Sequence, residues 1–256
     1  NPTFPEKEIE RIKKETLAGI IQEENRPASI AYRNIGKLLY GEEHPYGKPL
    51  TGSGISETIS SITRANIMDV HSRAINSAHL TFAVAGDIEM EELVDLLESK
   101  FGDWSANSDS GLKALATVEL PENRTIYLID KPNAQQSYIV AGQLLPPSAT
   151  EEEIEIDYMN YAIGGSFTAR LNMNLREDKS WSYGVRKRLG DENGQRAMLV
   201  TAPVQTDKTS ESMAEIVKEY SDYLSTKPII QDELAKGKAS KTLRLPGQFE
   251  TLGALK

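Results

Sequence analysis

The chain has 256 residues, 39% hydrophobic and 26% charged, a globular mix long enough for one large or two modest domains. Cysteine is absent, which excludes disulfides, a catalytic thiol and any cysteine-based zinc or iron–sulfur site. The 29 basic and 38 acidic side chains give a net charge of −9, against the basic face that nucleic-acid phosphates require, so no nucleic-acid partner is expected.

No apolar run approaches the ~18 residues of a membrane-spanning helix, and no signal peptide is visible. The chain opens on Asn1-Pro2-Thr3 without Met and stops soon after a segment that still reads as helical. It therefore reads as a piece of a longer protein.

In chain order, residues 6–24 have the pattern of a helix. Pro5 suits its first turn, Glu6 and Glu8 its positive end, and Ile9, Ile12, Leu17, Ile20 and Ile21 an apolar stripe. Pro27 permits a second helix to about Leu39, with Ile30, Ile35, Leu38 and Leu39 inward. Gly41 to Gly54, containing His44-Pro45-Tyr46-Gly47, is a loop. Thr63 can cap a helix to about Ile75. Leu80 to Ala85 (LTFAVA) is nearly all apolar and predicts a buried strand, broken by Gly86-Asp87. Glu89 to Phe101 carries Leu93, Leu96, Leu97 and Phe101 at helical spacing.

The composition then turns small and polar from Ser105 to Gly111. Residues 106–117 are expected to link two domains, 1–105 and 118–256. Thr125–Asp130 and Ser137–Gln143 read as strands. An acidic first turn (Glu151, Glu152, Glu153) opens a helix from Thr150 to about Ile163, which Gly164-Gly165 should stop. Ser166 should cap a helix to about Asp178, with Phe167, Leu171 and Leu175 as its apolar face. Trp181–Leu189 and Arg196–Val204 read as strands joined by a turn at Gly190–Gly194. A long helix runs from Thr206 or Asp207 to about Ser225, and another from Asp232 to Leu245, ended by Pro246-Gly247. The sum is α+β: antiparallel hairpins with long helices covering one face.

The titratable residues point to no complete metal centre. His44 lies in a loop, His71 on a helix and His79 at the start of a strand, and no pair has the H-x-x-E-H spacing that puts two imidazoles on one helical face. No G-x-S-x-G elbow occurs, and the acidic run Glu151–Glu153 reads as a solvated helix N-terminus.

The most informative segment is Gly164–Leu189. A helix followed by a strand can bring Arg176 and Tyr183 to one edge. A guanidinium fork and a phenol hydroxyl both suit a carbonyl oxygen or a developing oxyanion. The same chemistry is satisfied if Arg176 pairs with Glu177 or Asp178 and Tyr183 simply packs.

Three segments carry a resemblance. Phe4–Gly52 resembles a helical stretch leading to an HPYG-x-P-x-x-G loop. Leu80–Trp104 resembles a domain ending of strand, Gly-Asp, helix and FG-x-W. Gly164–Val185 resembles a GG-x-x-x-x-RL-x-x-x-LRE…Y signature. Together they resemble the M16 (insulinase/pitrilysin-like) zinc peptidases, most closely the bacterial type built from two homologous halves.

The resemblance implies two similar domains per half, each an antiparallel-rich sheet with helices on one face, and a chamber between halves for an unstructured peptide. One half binds zinc through H-x-x-E-H and a distal Glu; the other supplies an Arg and a Tyr. By motif position these are Arg176 and Tyr183, with the role of holding the scissile peptide and stabilising the oxyanion. H-x-x-E-H is absent from this chain. The distal Glu position aligns on Gly19, with Glu15 one turn away as the remaining metal candidate.

The expectation is therefore a zinc-free, substrate-clamping half. Its parent would use zinc while this piece carries none and is inactive alone, its partners would be a catalytic half and a peptide, and it would act in a bacterial periplasm or envelope. Two alternatives stay open: a catalytic half whose H-x-x-E-H lies upstream, with Glu8, Glu10 or Glu15 as third ligand, or a structural or assembly subunit of the same fold.

Overall fold

The structure, a computed structural model, describes residues 2–75, 77, 80–104, 115–148 and 150–254. It is a mixed α+β fold whose described strands form a three-stranded antiparallel sheet in the order β1-β3-β2. β1 is Gln136–Leu145, β2 Arg186–Leu189 and β3 Arg196–Gln205. β3 is central and buried on both faces, as its sequence RAMLVTAPVQ suggests.

Helices α1 (Glu6–Glu23) and α2 (Pro27–Tyr40) match their expected spans. α3 (Ser56–Ser61) had no sequence signal, being a short stretch of Ser and β-branched residues with no apolar stripe. α4 (Arg64–Ala74) is held at its start by a reciprocal capping box between Thr63 and Asn66. α5 is Met90–Phe101.

The sheet is covered on two sides. On one face Val200, Ala202 and Val204 of β3 pack with Ala162, Ile163, Leu171, Leu175 and Ile216, the last from α8 (Thr209–Leu224). On the other, Ile35 and Tyr40 of α2 pack on Leu144, Ala197 and Leu199. Gly142 makes that second contact possible, since a Cβ there would stand 3.1 Å from both Leu39 Cδ1 and Leu199 Cδ2. The helix layer on the first face was expected. The α2 layer joins a segment read as part of the first domain to the sheet of the second.

Three expectations are corrected. Residues 80–85 and 125–130 form no ladder with any described strand. Phe82 and Val84 are exposed rather than buried, and Ile126 and Leu128 are exposed as well. Both segments have the composition of strands, but a strand exists only through a neighbour's backbone hydrogen bonds. The helix does not end at Ile163: α6 (Glu153–Asn160) continues as a π-helical turn, Tyr161–Gly165, and stops at the second glycine, with Ser166 extended. Here glycine serves closeness, because a Cβ on Gly164 would lie 2.8 Å from Lys187 Cβ on β2. The linker reading, 106–117, and His79 fall largely or wholly outside the described residues.

Candidate functional site

The segment from Gly164 to Leu189 builds one end of the sheet. Ser166 is extended rather than a helix cap, and α7 (Arg170–Asn172) starts after Ala169. The reason lies at Phe167. Its carbonyl is taken by the Asn172 side chain at 2.6 Å, and its ring is exposed, off the apolar face it was expected to share with the fully buried Leu171 and Leu175. α7 continues as a second π-helical turn, Met173–Asp178, which carries Arg176. Such turns cluster at functional sites.

A tight reversal follows. Ser180 takes a left-handed conformation at φ 56°. Its N–H donates to the Arg176 carbonyl at 3.1 Å, while the Trp181 and Ser182 N–H groups donate to the Leu175 carbonyl at 2.9 and 3.2 Å. Ser182 then bridges to Val204 of β3. Its hydroxyl donates to the Pro203 carbonyl at 2.7 Å and accepts from the Gly184 N–H at 3.1 Å. The Val185 N–H donates to Asn172 Oδ1 at 2.9 Å. Tyr183 is thus flanked by anchored backbone on both sides.

The structure places Arg176 and Tyr183 on the two arms of this reversal. Arg176 meets Glu177 at 3.4 Å, and its guanidinium lies over the Phe167 ring, 4.4 Å from the centroid. The Glu177 pairing anticipated on chemical grounds is present; it is solvent-exposed, and such pairs contribute at most about 1 kcal/mol. The guanidinium is therefore available to a ligand at low cost. Tyr183 does not pack. It is 88% exposed, and no described residue hydrogen-bonds its hydroxyl. No hydrogen bond joins the pair directly among the described residues. Sequence reasoning missed Asn172 and Phe167. The signal was a polar residue between Leu171 and Leu175, on a helix otherwise turned inward.

Arg170, in the same motif, serves the fold. Its guanidinium binds Glu233 of α9 (Gln231–Arg244) through two bonds of 2.6 Å and also donates to the Lys227 and Pro228 carbonyls.

The carboxylates of α1 are surface ion pairs. Glu15 and Glu8 flank Arg11, each at 2.7 Å, and Glu10 pairs with Lys13 at 3.0 Å. His44 is buried; its Nδ1 accepts the Tyr46 N–H at 3.1 Å, so the proton belongs on Nε2, which faces the Ala116 carbonyl at 3.2 Å. His71 sits edge-on to Phe4. No three His, Asp or Glu side chains converge in a way that could hold a metal among the described residues. This donor set does not fit a zinc site.

Residues 61–241 match the family of the peptidase M16 inactive domain. The chain belongs to the M16 family. It is 28% identical over 184 residues to an uncharacterised zinc protease of Bacillus subtilis, YmxG, covering 72% of this chain and 42% of that protein. The chain thus spans less than half the length of the curated relatives it matches first. Among solved structures, a peptidase M16 inactive domain from Pseudomonas fluorescens superposes with a TM-score of 0.81 at 21% identity, over 96% of this chain and 58% of that one. The periplasmic protease PqqL of Escherichia coli gives a TM-score of 0.75 at 19% identity, over 96% of this chain and 27% of that one. These likenesses establish the M16 fold. Among the described residues, no helix is long and apolar enough to cross a membrane.

Proposed function

We propose that this M16 chain is the substrate-clamping part of a zinc peptidase, presenting Arg176 and Tyr183 to an unstructured peptide held against a separate zinc-bearing half. One observation carries the reading: Tyr183 is 88% exposed while its neighbours Ser182 and Gly184 are hydrogen-bonded into the fold. An exposed tyrosine on a fixed backbone contributes little to stability and is suited to contact. Arg176, on the preceding turn, supplies a fork of donors already oriented by Phe167.

In the reaction, the guanidinium and phenol hydroxyl donate hydrogen bonds to backbone carbonyl oxygens of the peptide and to the oxygen on which negative charge grows. Such donors act by being in place before the charge develops. The water-activating chemistry would belong to the half that carries H-x-x-E-H, a motif absent from this sequence. The match of residues 61–241 to the peptidase M16 inactive domain supports the zinc-free reading. A periplasmic or envelope setting is part of the proposal and is supported by the likeness to PqqL.

The test is steady-state hydrolysis of a quenched fluorescent, unstructured peptide by the native full-length protein. Arg176→Ala and Tyr183→Phe should each lower kcat/KM by roughly 100-fold or more, the usual effect of losing one oxyanion donor. Melting temperature should move by less than about 2 °C, since neither side chain packs in the core. Unchanged turnover in both variants refutes the assignment.

A further inference from the structure

Asn172 is 3% exposed, yet both ends of its amide are engaged. Nδ2 donates to the Phe167 carbonyl at 2.6 Å, and Oδ1 accepts from the Val185 N–H at 2.9 Å. The first contact fixes the residue whose ring lies under the Arg176 guanidinium at 4.4 Å. The second fixes the strand entry two residues beyond Tyr183. Phe167 itself is 63% exposed, so its ring contributes little to the core and has one face occupied by a cation.

We propose that Asn172 is a positioning residue for the Arg176–Tyr183 pair, and that Phe167 is the platform through which it acts on Arg176. One buried amide ties the Phe167 platform to the strand entry after Tyr183, and so adds a side-chain tie between the surroundings of guanidinium and phenol to the backbone bonds that close the reversal. This rests on the substrate-clamping reading above and adds to it the means by which the clamp keeps its geometry. Small displacements of positioned groups cost large factors in rate, so the effect should fall on kcat more than on KM.

The experiment uses the native full-length protein, reconstituted with the zinc-bearing half where that is a separate chain, and the same quenched peptide. Phe167→Leu removes an exposed ring and should leave folding intact. It should lower kcat about two- to fivefold with KM within roughly twofold, a loss in keeping with one exposed cation–π contact. Asn172→Ala should lower kcat further. Placed on Arg176→Ala/Tyr183→Phe it should add less than about threefold, because its effect runs through that pair.

If Asn172→Ala multiplies its full effect onto that background, its role is merely structural and the inference is overturned. If Asn172→Ala fails to give a cooperative melt, the cycle of Phe167→Leu with Arg176→Ala decides alone: additive losses overturn the inference, and a non-additive loss upholds it. If Arg176→Ala and Tyr183→Phe leave turnover untouched, the clamping reading itself falls and this inference with it. If those two variants lower turnover but Phe167→Leu does not, only the inference fails.

Discussion

Lys187 points from β2 into the core with 7% of its surface exposed, and its ammonium has no hydrogen-bond partner among the described residues. It lies over the ring of Tyr220, 5.5 Å from the centroid. The Tyr220 hydroxyl is likewise buried without a partner, and burial raises its pKa. Burial pushes the Lys187 ammonium down from 10.5 to about 8. Below pH 8 both folded and unfolded chains carry the proton, and the cost of burying the charge is fully present. Between about pH 8 and 10.5 the folded chain has lost the proton while the unfolded chain keeps it, so stability rises with pH. The slope from this group should approach about 1.4 kcal/mol per pH unit. Lys187→Met should remove that slope and stabilise the fold at pH 7 by about 1–3 kcal/mol, read from urea melts at pH 7 and 9.5. A variant no more stable at pH 7 would mean that water reaches the ammonium. Ser180 gives a second prediction at this scale. Its φ of 56° costs a non-glycine residue on the order of 1 kcal/mol, so Ser180→Gly should stabilise by up to that amount in the same melts.

At the scale of elements, two side-chain clamps tie the layers together, one from strand to helix and one from helix to helix. Arg196 of β3 reaches Glu153 at the start of α6, at 2.9 and 2.5 Å. Arg170 grips Glu233 and the chain entering α9, and its guanidinium also lies over the Tyr223 ring at 4.8 Å. α9 buries little of its own surface, Gly237 being its one buried residue, so it depends on this clamp and on the pairing of Lys241 with Asp157 of α6. Arg170→Ala should leave Glu233 partly buried without its partner and cost about 2–4 kcal/mol. Amide exchange should accelerate first across residues 231–244; uniform loss of protection over the whole chain would show instead that α9 and the sheet unfold as one unit.

Helices such as α1, α2 and α8 were legible because periodicity, a proline at the start and acidic first turns are local signals. β1 and β3 were legible because their partners lie within the chain. Residues 80–85 and 125–130 show what composition leaves out, since pairing is a non-local event that apolar β-branched residues favour without specifying. At the candidate site, a motif singled out Arg176 and Tyr183, whose role is the proposal made above. Asn172 was not, because its role depends on two backbone groups that only folding brings to its amide.

On the scale of the whole molecule, the two stretches without ladder partners leave Phe82, Val84, Ile126 and Leu128 facing solvent at 45, 50, 74 and 87% exposure. Exposed apolar segments of this kind invite association. The 256-residue chain alone should therefore self-associate and bind a hydrophobic dye, and Ile126→Lys with Leu128→Lys should reduce both, as measured by light scattering and dye fluorescence. Persistence of association in that double variant would move the sticky surface elsewhere. The α2 layer has a different consequence. Because Ile35, Leu39 and Tyr40 close one face of a sheet built wholly from residues 136–205, the polar stretch around 105–117 joins two pieces that also hold each other by contact. Separately produced peptides 1–105 and 118–256 should then recognise one another in a tube and restore the sheet's far side, a split protein mended without a covalent thread.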